Sequence, residues 1–166
     1  MKFVKLAIMA LLGGVGQAAA DPITEASFVT GLSVCLNFGN DAWFAADRLE
    51  GAGWHGQYDD YYQAKIYTSP DGSAWVIPPG EGDGFPAWCT VFSSSVGPDY
   101  AEFAVRSVLA SIDLGFSEYD NEGCYGFHTA LRQQILVYSD GQDDFCNDPT
   151  SARVNVIWHS DPVAGQ

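Results

Sequence analysis

Positive charge is scarce in this chain, with seven Lys and Arg residues against 21 Asp and Glu and a formal net charge of −14. The few basic residues are spaced singly along the sequence, so no basic cluster is present that could neutralise phosphates or hold anionic lipid. Nucleic acid and membrane surfaces are therefore not expected partners. The chain also lacks internal repeats and heptad runs, which argues against a solenoid or a coiled coil.

The N-terminal residues 1–20 predict a secretory signal peptide. Two lysines precede an apolar run, Leu6 to Val15, which is too short to span a bilayer, and Ala18-Ala19-Ala20 supplies the small residues of a cleavage site. The mature protein is expected to begin at Asp21 and to form one domain over residues 21–166. We therefore expect a periplasmic or secreted protein, kept soluble by its acidic surface.

Four cysteines lie in the mature part, and an even number in an oxidising compartment predicts two disulfides. None of them has the short spacing typical of zinc ligands, so neither a metal nor a cofactor is expected. Three pairings are possible. We favour Cys35 with Cys89, because they fall on elements expected to pack together, and Cys124 with Cys146, because they bracket one strand.

Three helices are expected from periodicity and capping signals. Apolar residues recur at helical spacing from Ile23 to Phe38, which places Cys35 on the core side. Asn40 or Asp41 can cap a second helix, which the glycines near position 51 end. A third helix is expected from Asp99 to Ile112, with an apolar stripe wide enough to cover a sheet.

About five strands are expected, and the turn Ser69-Pro70-Asp71-Gly72 marks the clearest hairpin. The polar stretch Gly56 to Asp60 precedes the first expected strand, and the segment Gly115 to Gly126 is interpreted as irregular. The element order α(α)βββαββ predicts an α+β fold with a single antiparallel sheet and helices on one face. The expected strands are Gln63–Thr68, Ser73–Ile77, Ala87–Ser94, Leu131–Tyr138 and Arg153–His159.

Aromatic side chains are expected on the sheet face that the helices leave uncovered. If Cys89 and Val91 face the helices, strand alternation sends Trp88, Thr90 and Phe92 to the opposite face. The hairpin is expected to add Tyr67 and either Trp75 with Ile77 or Ala74 with Val76. Soluble monomers rarely expose large apolar patches, so irregular segments, a second copy or another protein should cover this face. The candidate protein-binding or dimerisation residues are Tyr67, Trp75, Trp88 and Phe92.

The main hypothesis is thus a non-catalytic binding domain, and the alternative is a small secreted hydrolase using paired carboxylates. Glu102, Glu118 and Glu122 lie near aromatic residues that could bind a sugar or raise a pKa. The acidic loop Asp140 to Asp144 could hold calcium, although it lacks the glycine and glutamate of an EF-hand loop. The three histidines, each close to an element end, receive no role: His55, His128 and His159.

The chain resembles small uncharacterised exported proteins of alphaproteobacteria in the order of its elements and turns. The resemblance rests on a helix that ends in Gly51-Ala52-Gly53-Trp54, then Tyr67-Thr68-Ser69-Pro70-Asp71-Gly72-Ser73-Ala74-Trp75-Val76, then a Cys-bearing strand and a helix. This resemblance covers Leu32 to Leu109. The topology is also similar to the type III secretion chaperone-like fold, including its YbjN-type members. That resemblance implies a helix-on-sheet domain that dimerises or binds an extended polypeptide, without a cofactor or catalytic residues.

Overall fold

The computed structural model describes residues 22–80, 87–139, 146 and 148–159. Within these residues the chain forms three helices and eight strands. The helices are α1 (Pro22–Phe38), α2 (Ala42–Gly51) and α3 (Pro98–Ser111). The strands are β1 (His55–Asp59), β2 (Ala64–Thr68), β3 (Trp75–Ile77), β4 (Ala87–Ser93), β5 (Phe116–Asn121), β6 (Cys124–Thr129), β7 (Gln133–Tyr138) and β8 (Ala152–Trp158).

All eight strands form one antiparallel sheet with the order β1-β2-β3-β4-β8-β7-β6-β5. The α+β class and the single antiparallel sheet are confirmed, but the expected number of about five strands is wrong. The observed order is ααββββαββββ. The two halves of the sheet meet where β4 pairs with β8, so residues far apart in sequence become neighbours at its centre.

Three strands were missed: β1 lies in the polar stretch, and β5 and the first half of β6 lie in the segment interpreted as irregular. The outermost strands β1 and β5 are mostly exposed on both faces, so their sequences lack the apolar alternation that marks a half-buried strand. The turn from β5 to β6 places both Glu122 and Gly123 at positive φ, which suits a two-residue antiparallel hairpin.

The core lies between the helices and one face of the sheet. The predicted stripe of α1 is buried, with Phe28, Leu32 and Cys35 fully inaccessible to solvent. Helix α3 contributes its own buried stripe above β7 and β8. Helix α2 begins after Asp41, whose Oδ1 accepts hydrogen bonds from the backbone nitrogens of residues 43 and 44 at 2.9 and 3.1 Å.

Both disulfides have the pairing favoured from the sequence. Cys35 on α1 bonds to Cys89 on β4, and Cys124 at the start of β6 bonds to Cys146. Such bridges are compatible with an exported protein or an oxidising compartment. Among the described helices, none has the length and apolar character needed to cross a membrane.

The hairpin turn between β2 and β3 is organised by one carboxylate. Asp71 accepts hydrogen bonds from Ser69 Oγ at 2.5 Å, Ser73 Oγ at 2.6 Å and Ser27 Oγ of α1 at 2.9 Å. Burial by itself would raise the pKa of Asp71, but these hydrogen bonds outweigh it and lower the pKa to about 2. The ionised side chain therefore links the hairpin to the first helix.

Replacement of Asp71 by Asn should cost about 1 kcal/mol of stability at neutral pH, since the largely exposed carboxylate is partly screened by solvent. The folded-state pKa lies below the ordinary value of 3.8. The contribution is therefore complete above that value and disappears as pH falls towards about 2. Urea denaturation at several pH values measures the difference between wild type and variant. The exposed Asp47→Asn on α2 is the control, and a difference that persists unchanged at the lowest pH would contradict the prediction.

Candidate functional site

The sheet face opposite the helices is called the outer face below. The strand registers place Thr68, Trp75, Phe92, Arg153 and Tyr138 side by side across five adjacent strands, β2, β3, β4, β8 and β7. In each strand, the residues immediately before and after these positions point to the inner face, which packs against the helices, because side chains alternate along a strand. This first row combines three aromatic rings with one guanidinium group.

Contacts within this row order its side chains. The rings of Trp75 and Phe92 have centroids 6.1 Å apart at an angle of 33°. The guanidinium carbon of Arg153 lies 5.4 Å from the centre of the Tyr138 ring, within the range of a cation–π interaction. The row therefore presents a continuous aromatic and cationic band.

A second row, one step along the strands, is mainly polar and aliphatic. Ile77 pairs with Thr90, Thr90 with Asn155, and Asn155 with Leu136. Thr90 Oγ1 donates a hydrogen bond to Asn155 Oδ1 at 3.0 Å. This bond engages the carbonyl oxygen of the amide, and among the described residues no acceptor is recorded for the amide nitrogen, which can donate.

A third row begins at Trp88, which is 51% exposed, and continues through Ile157 and Gln134 to His128. The pKa of His128 is lowered by burial and by the nearby His159, which favours its neutral form at neutral pH. This row therefore adds no charge to the outer face.

Tyr119 covers the far end of the outer face. Its ring stacks on His128 with centroids 4.6 Å apart, and its hydroxyl accepts a hydrogen bond from Gln134 Nε2 at 2.7 Å. A glycine is required beneath the ring, because a Cβ atom at Gly126 would lie 2.4 Å from a ring carbon. The stack limits the open part of the face to the region around β3, β4 and β8.

The outer face is nearly free of acidic residues, although the protein carries 21 of them. Of the strand residues that the structure describes, Asp59 at the end of β1 is the one carboxylate that the registers place on this face. Arg153 is the one Lys or Arg on it. In the described strands, the acidic residues other than Asp59 therefore lie off the outer face.

A groove of about 470 Å³ crosses the outer face beside the β1–β2 turn. Trp88, Phe92 and Ile77 supply apolar walls, and Arg153 and Asn155 supply polar groups. A few polar groups converging in an apolar groove are typical of a binding site. The groove is therefore the best-defined candidate site on this face.

The expectation for Tyr67 was wrong. Of the four candidate residues, Trp75, Trp88 and Phe92 lie on the outer face, whereas Tyr67 lies on the inner face and is 2% exposed. The hairpin register pairs Thr68 with Trp75, so Tyr67 and Trp75 have opposite orientations. The Tyr67 hydroxyl donates to Glu50 Oε1 of α2 at 3.2 Å, which gives this ring a structural position.

Sequence reasoning also missed part of the site, because it did not assign Arg153, Asn155 or Tyr138 to it. The alternation of β8 contained a signal, since Arg153 and Asn155 alternate with the buried Val154 and Val156. Only the pairing of β4 with β8 brings them beside the aromatic residues.

The carboxylates considered for a hydrolase occupy another region. Glu102 on α3 and Glu118 on β5 both form ion pairs with Arg106. Glu122 lies in the turn from β5 to β6. Both carboxylates are thus engaged by one guanidinium group, as in a structural ion-pair network. This geometry therefore gives the hydrolase hypothesis no support.

A larger cleft, of about 830 Å³, lies on the helix side between α2 and the first two strands. Trp43, Tyr58, Glu50 and Lys65 line it. Two of its charged groups already pair with each other, because Lys65 Nζ lies 2.9 Å from Glu50 Oε1. The outer-face groove instead contains the guanidinium group of Arg153, which has no carboxylate partner in the described part of the chain, so it is the stronger candidate for a ligand.

The loop Asp140 to Asp144, which was considered for calcium, lies outside the described residues. In the described parts of the chain, no group of three or more His, Cys, Asp and Glu side chains is placed to hold a metal ion.

No family model, curated protein or solved structure matches this chain. The resemblance to exported alphaproteobacterial proteins and to the type III secretion chaperone-like fold therefore stays a prediction.

Proposed function

We propose that this protein is an exported, disulfide-stabilised binding domain without catalytic activity, and that its outer face binds an extended, basic polypeptide with apolar side chains. The observation that supports this most strongly is the location of charge. A chain with a net charge of −14 keeps carboxylates off the outer face of its described strands except at Asp59. The compartment is the periplasm or the extracellular space.

Charge complementarity favours a basic partner. Acidic residues around the neutral face attract cations at long range, and a partner with basic residues flanking its contact segment would be guided to the face. A second copy of this chain would bring two strongly acidic molecules together and would leave Arg153 opposite a surface with almost no carboxylates. A heterologous basic partner therefore fits better than a homodimer.

The spacing of the aromatic residues fits an extended chain. Trp88, Thr90 and Phe92 point outwards from alternate positions of β4, about 7 Å apart. An extended peptide lying along β4 presents its own side chains at the same interval. Large aromatic residues such as Trp88 and Trp75 are also the types that contribute most to protein interfaces.

The test uses two fluorescein-labelled peptides with C-terminal amides, each with alternating phenylalanine and leucine, one flanked by lysines and the other by glutamates. Fluorescence anisotropy should show binding of the lysine peptide at least about tenfold tighter than that of the glutamate peptide. Trp88→Ala should weaken binding of the lysine peptide about tenfold or more. The matched control is Trp43→Ala, which removes another exposed tryptophan, 69% accessible, from α2 on the helix side.

Equal losses in the two tryptophan variants would place the peptide elsewhere and overturn the proposal, as would equal affinity for both peptides. Sedimentation of the protein alone provides a further check. If the wild-type protein is a dimer and Trp88→Ala converts it to a monomer, the outer face binds a second copy of this chain, and the proposal is also overturned. Circular dichroism of both variants establishes that they are folded.

A further inference from the structure

Arg153 forms no ion pair with a carboxylate among the described residues, a property that it shares with Arg48, and it differs from Arg48 in its buried Nε. Lys65 and Arg106 form ion pairs with glutamates. Arg153 instead lies over Tyr138, and its Nε is buried without a hydrogen-bond partner among the residues that the structure describes. A buried donor without a partner is costly, so a ligand that accepts from it would be favoured.

Asn155 adds a second donor to the same groove. It lies two positions from Arg153 on β8, so both side chains leave the outer face about 7 Å apart. Its carbonyl oxygen already accepts from Thr90. The remaining amide nitrogen, together with the guanidinium group, makes this end of the groove a cluster of donors.

The walls beside these donors are apolar. Trp88, Phe92 and Ile77 line the groove together with Pro79. A ligand that fits both parts needs acceptor oxygens at one end and an apolar body next to them. A carboxylate satisfies a planar guanidinium with two parallel hydrogen bonds, which a neutral carbonyl cannot do.

We infer that the groove formed by Trp88, Phe92, Arg153 and Asn155 binds a carboxylate attached to an apolar body. Two sources share this chemistry: the C-terminal carboxylate of a peptide and a free apolar acid. The peptide source rests on the proposed function. The free acid would bind whether or not a polypeptide partner exists.

The experiment compares the lysine-flanked peptide ending in a free carboxylate with the same peptide ending in an amide. In the wild-type protein the carboxylate form should bind about tenfold tighter, consistent with a charge-assisted pair. Arg153→Gln should remove this preference, and Arg153→Lys should retain part of it. Arg48→Gln on α2 is the matched control and should leave the preference unchanged. In parallel, 3-phenylpropionate and 3-phenylpropionamide are titrated while tryptophan fluorescence is recorded.

The outcomes separate this inference from the proposed function. If both peptide forms bind equally through Trp88, the peptide source of the carboxylate is overturned and the proposed function stands. If neither peptide binds but 3-phenylpropionate does so in an Arg153-dependent manner, the free acid is the ligand and the proposed function fails alone. If the protein binds the acid and the amide equally, both for the peptide pair and for the small-molecule pair, the inference is overturned for both sources.

Discussion

Replacing both Cys35 and Cys89 by alanine should lower the free energy of unfolding by about 4 kcal/mol, because the bridge closes a long loop in the unfolded chain. The sequence separation is 54 residues. Both cysteines are fully buried, so their loss also removes contacts between α1 and the centre of the sheet. A loss of this size is comparable to a large part of the total stability of a small domain.

Urea denaturation followed by circular dichroism measures this effect. The matched control replaces Cys124 and Cys146, which are separated by 22 residues, and its expected cost is smaller, about 3 kcal/mol. Reduction of the wild-type protein should destabilise it at least as much as the first pair of substitutions. The prediction fails if the first pair costs less than the second, or if reduction leaves the denaturation midpoint unchanged.

The same disulfide fixes the strand that presents the candidate site. Cys89 and Val91 are buried against the helices, and strand alternation then sets the outward direction of Trp88, Thr90 and Phe92. A strand held in this way presents its aromatic residues without an ordering cost at the moment of binding. Preorganisation of this kind improves affinity more reliably than additional contact area.

The helices and the central hairpin could be predicted because their signals are local. The i, i+4 spacing from Phe28 to Leu36 and the capping oxygen of Asp41 each depend on residues within a few positions. The outer strands carry no comparable signal. His55 to Asp59 and Phe116 to Asn121 become strands because a neighbouring strand supplies hydrogen-bond partners, and their exposed side chains do not alternate in polarity.

Part of the candidate site was predictable, because one residue of known orientation determines which side chains of its strand point to each face of the sheet. Cys89, expected to face the helices, correctly assigned Trp88 and Phe92 to the outer face. Tyr67 was misplaced because its direction depends on the register of the hairpin, which pairs Thr68 with Trp75. Arg153 became a neighbour of the aromatic residues only through the non-local pairing of β4 with β8.

A buried glutamine connects the first helix to the sheet, and its replacement should have the second-largest effect. Gln133 on β7 is fully buried, and its Nε2 donates to the carbonyl oxygen of Leu36 in the last turn of α1 at 2.7 Å. Its Oε1 accepts from Thr129 Oγ1 at 2.9 Å. The carbonyl groups at the end of a helix have no partner within the helix, so this side chain satisfies a buried acceptor.

Gln133→Met keeps the shape of the side chain but removes both hydrogen bonds, which leaves the Leu36 carbonyl and the Thr129 hydroxyl buried without this partner. We expect a loss of about 3 kcal/mol in urea denaturation. Gln134→Met is the matched control: its side chain lies on the outer face, and it should cost less than about 1 kcal/mol. Equal costs for the two glutamine variants would show that the connection between α1 and β7 contributes nothing specific, since both substitutions make the same chemical change on opposite faces of one strand.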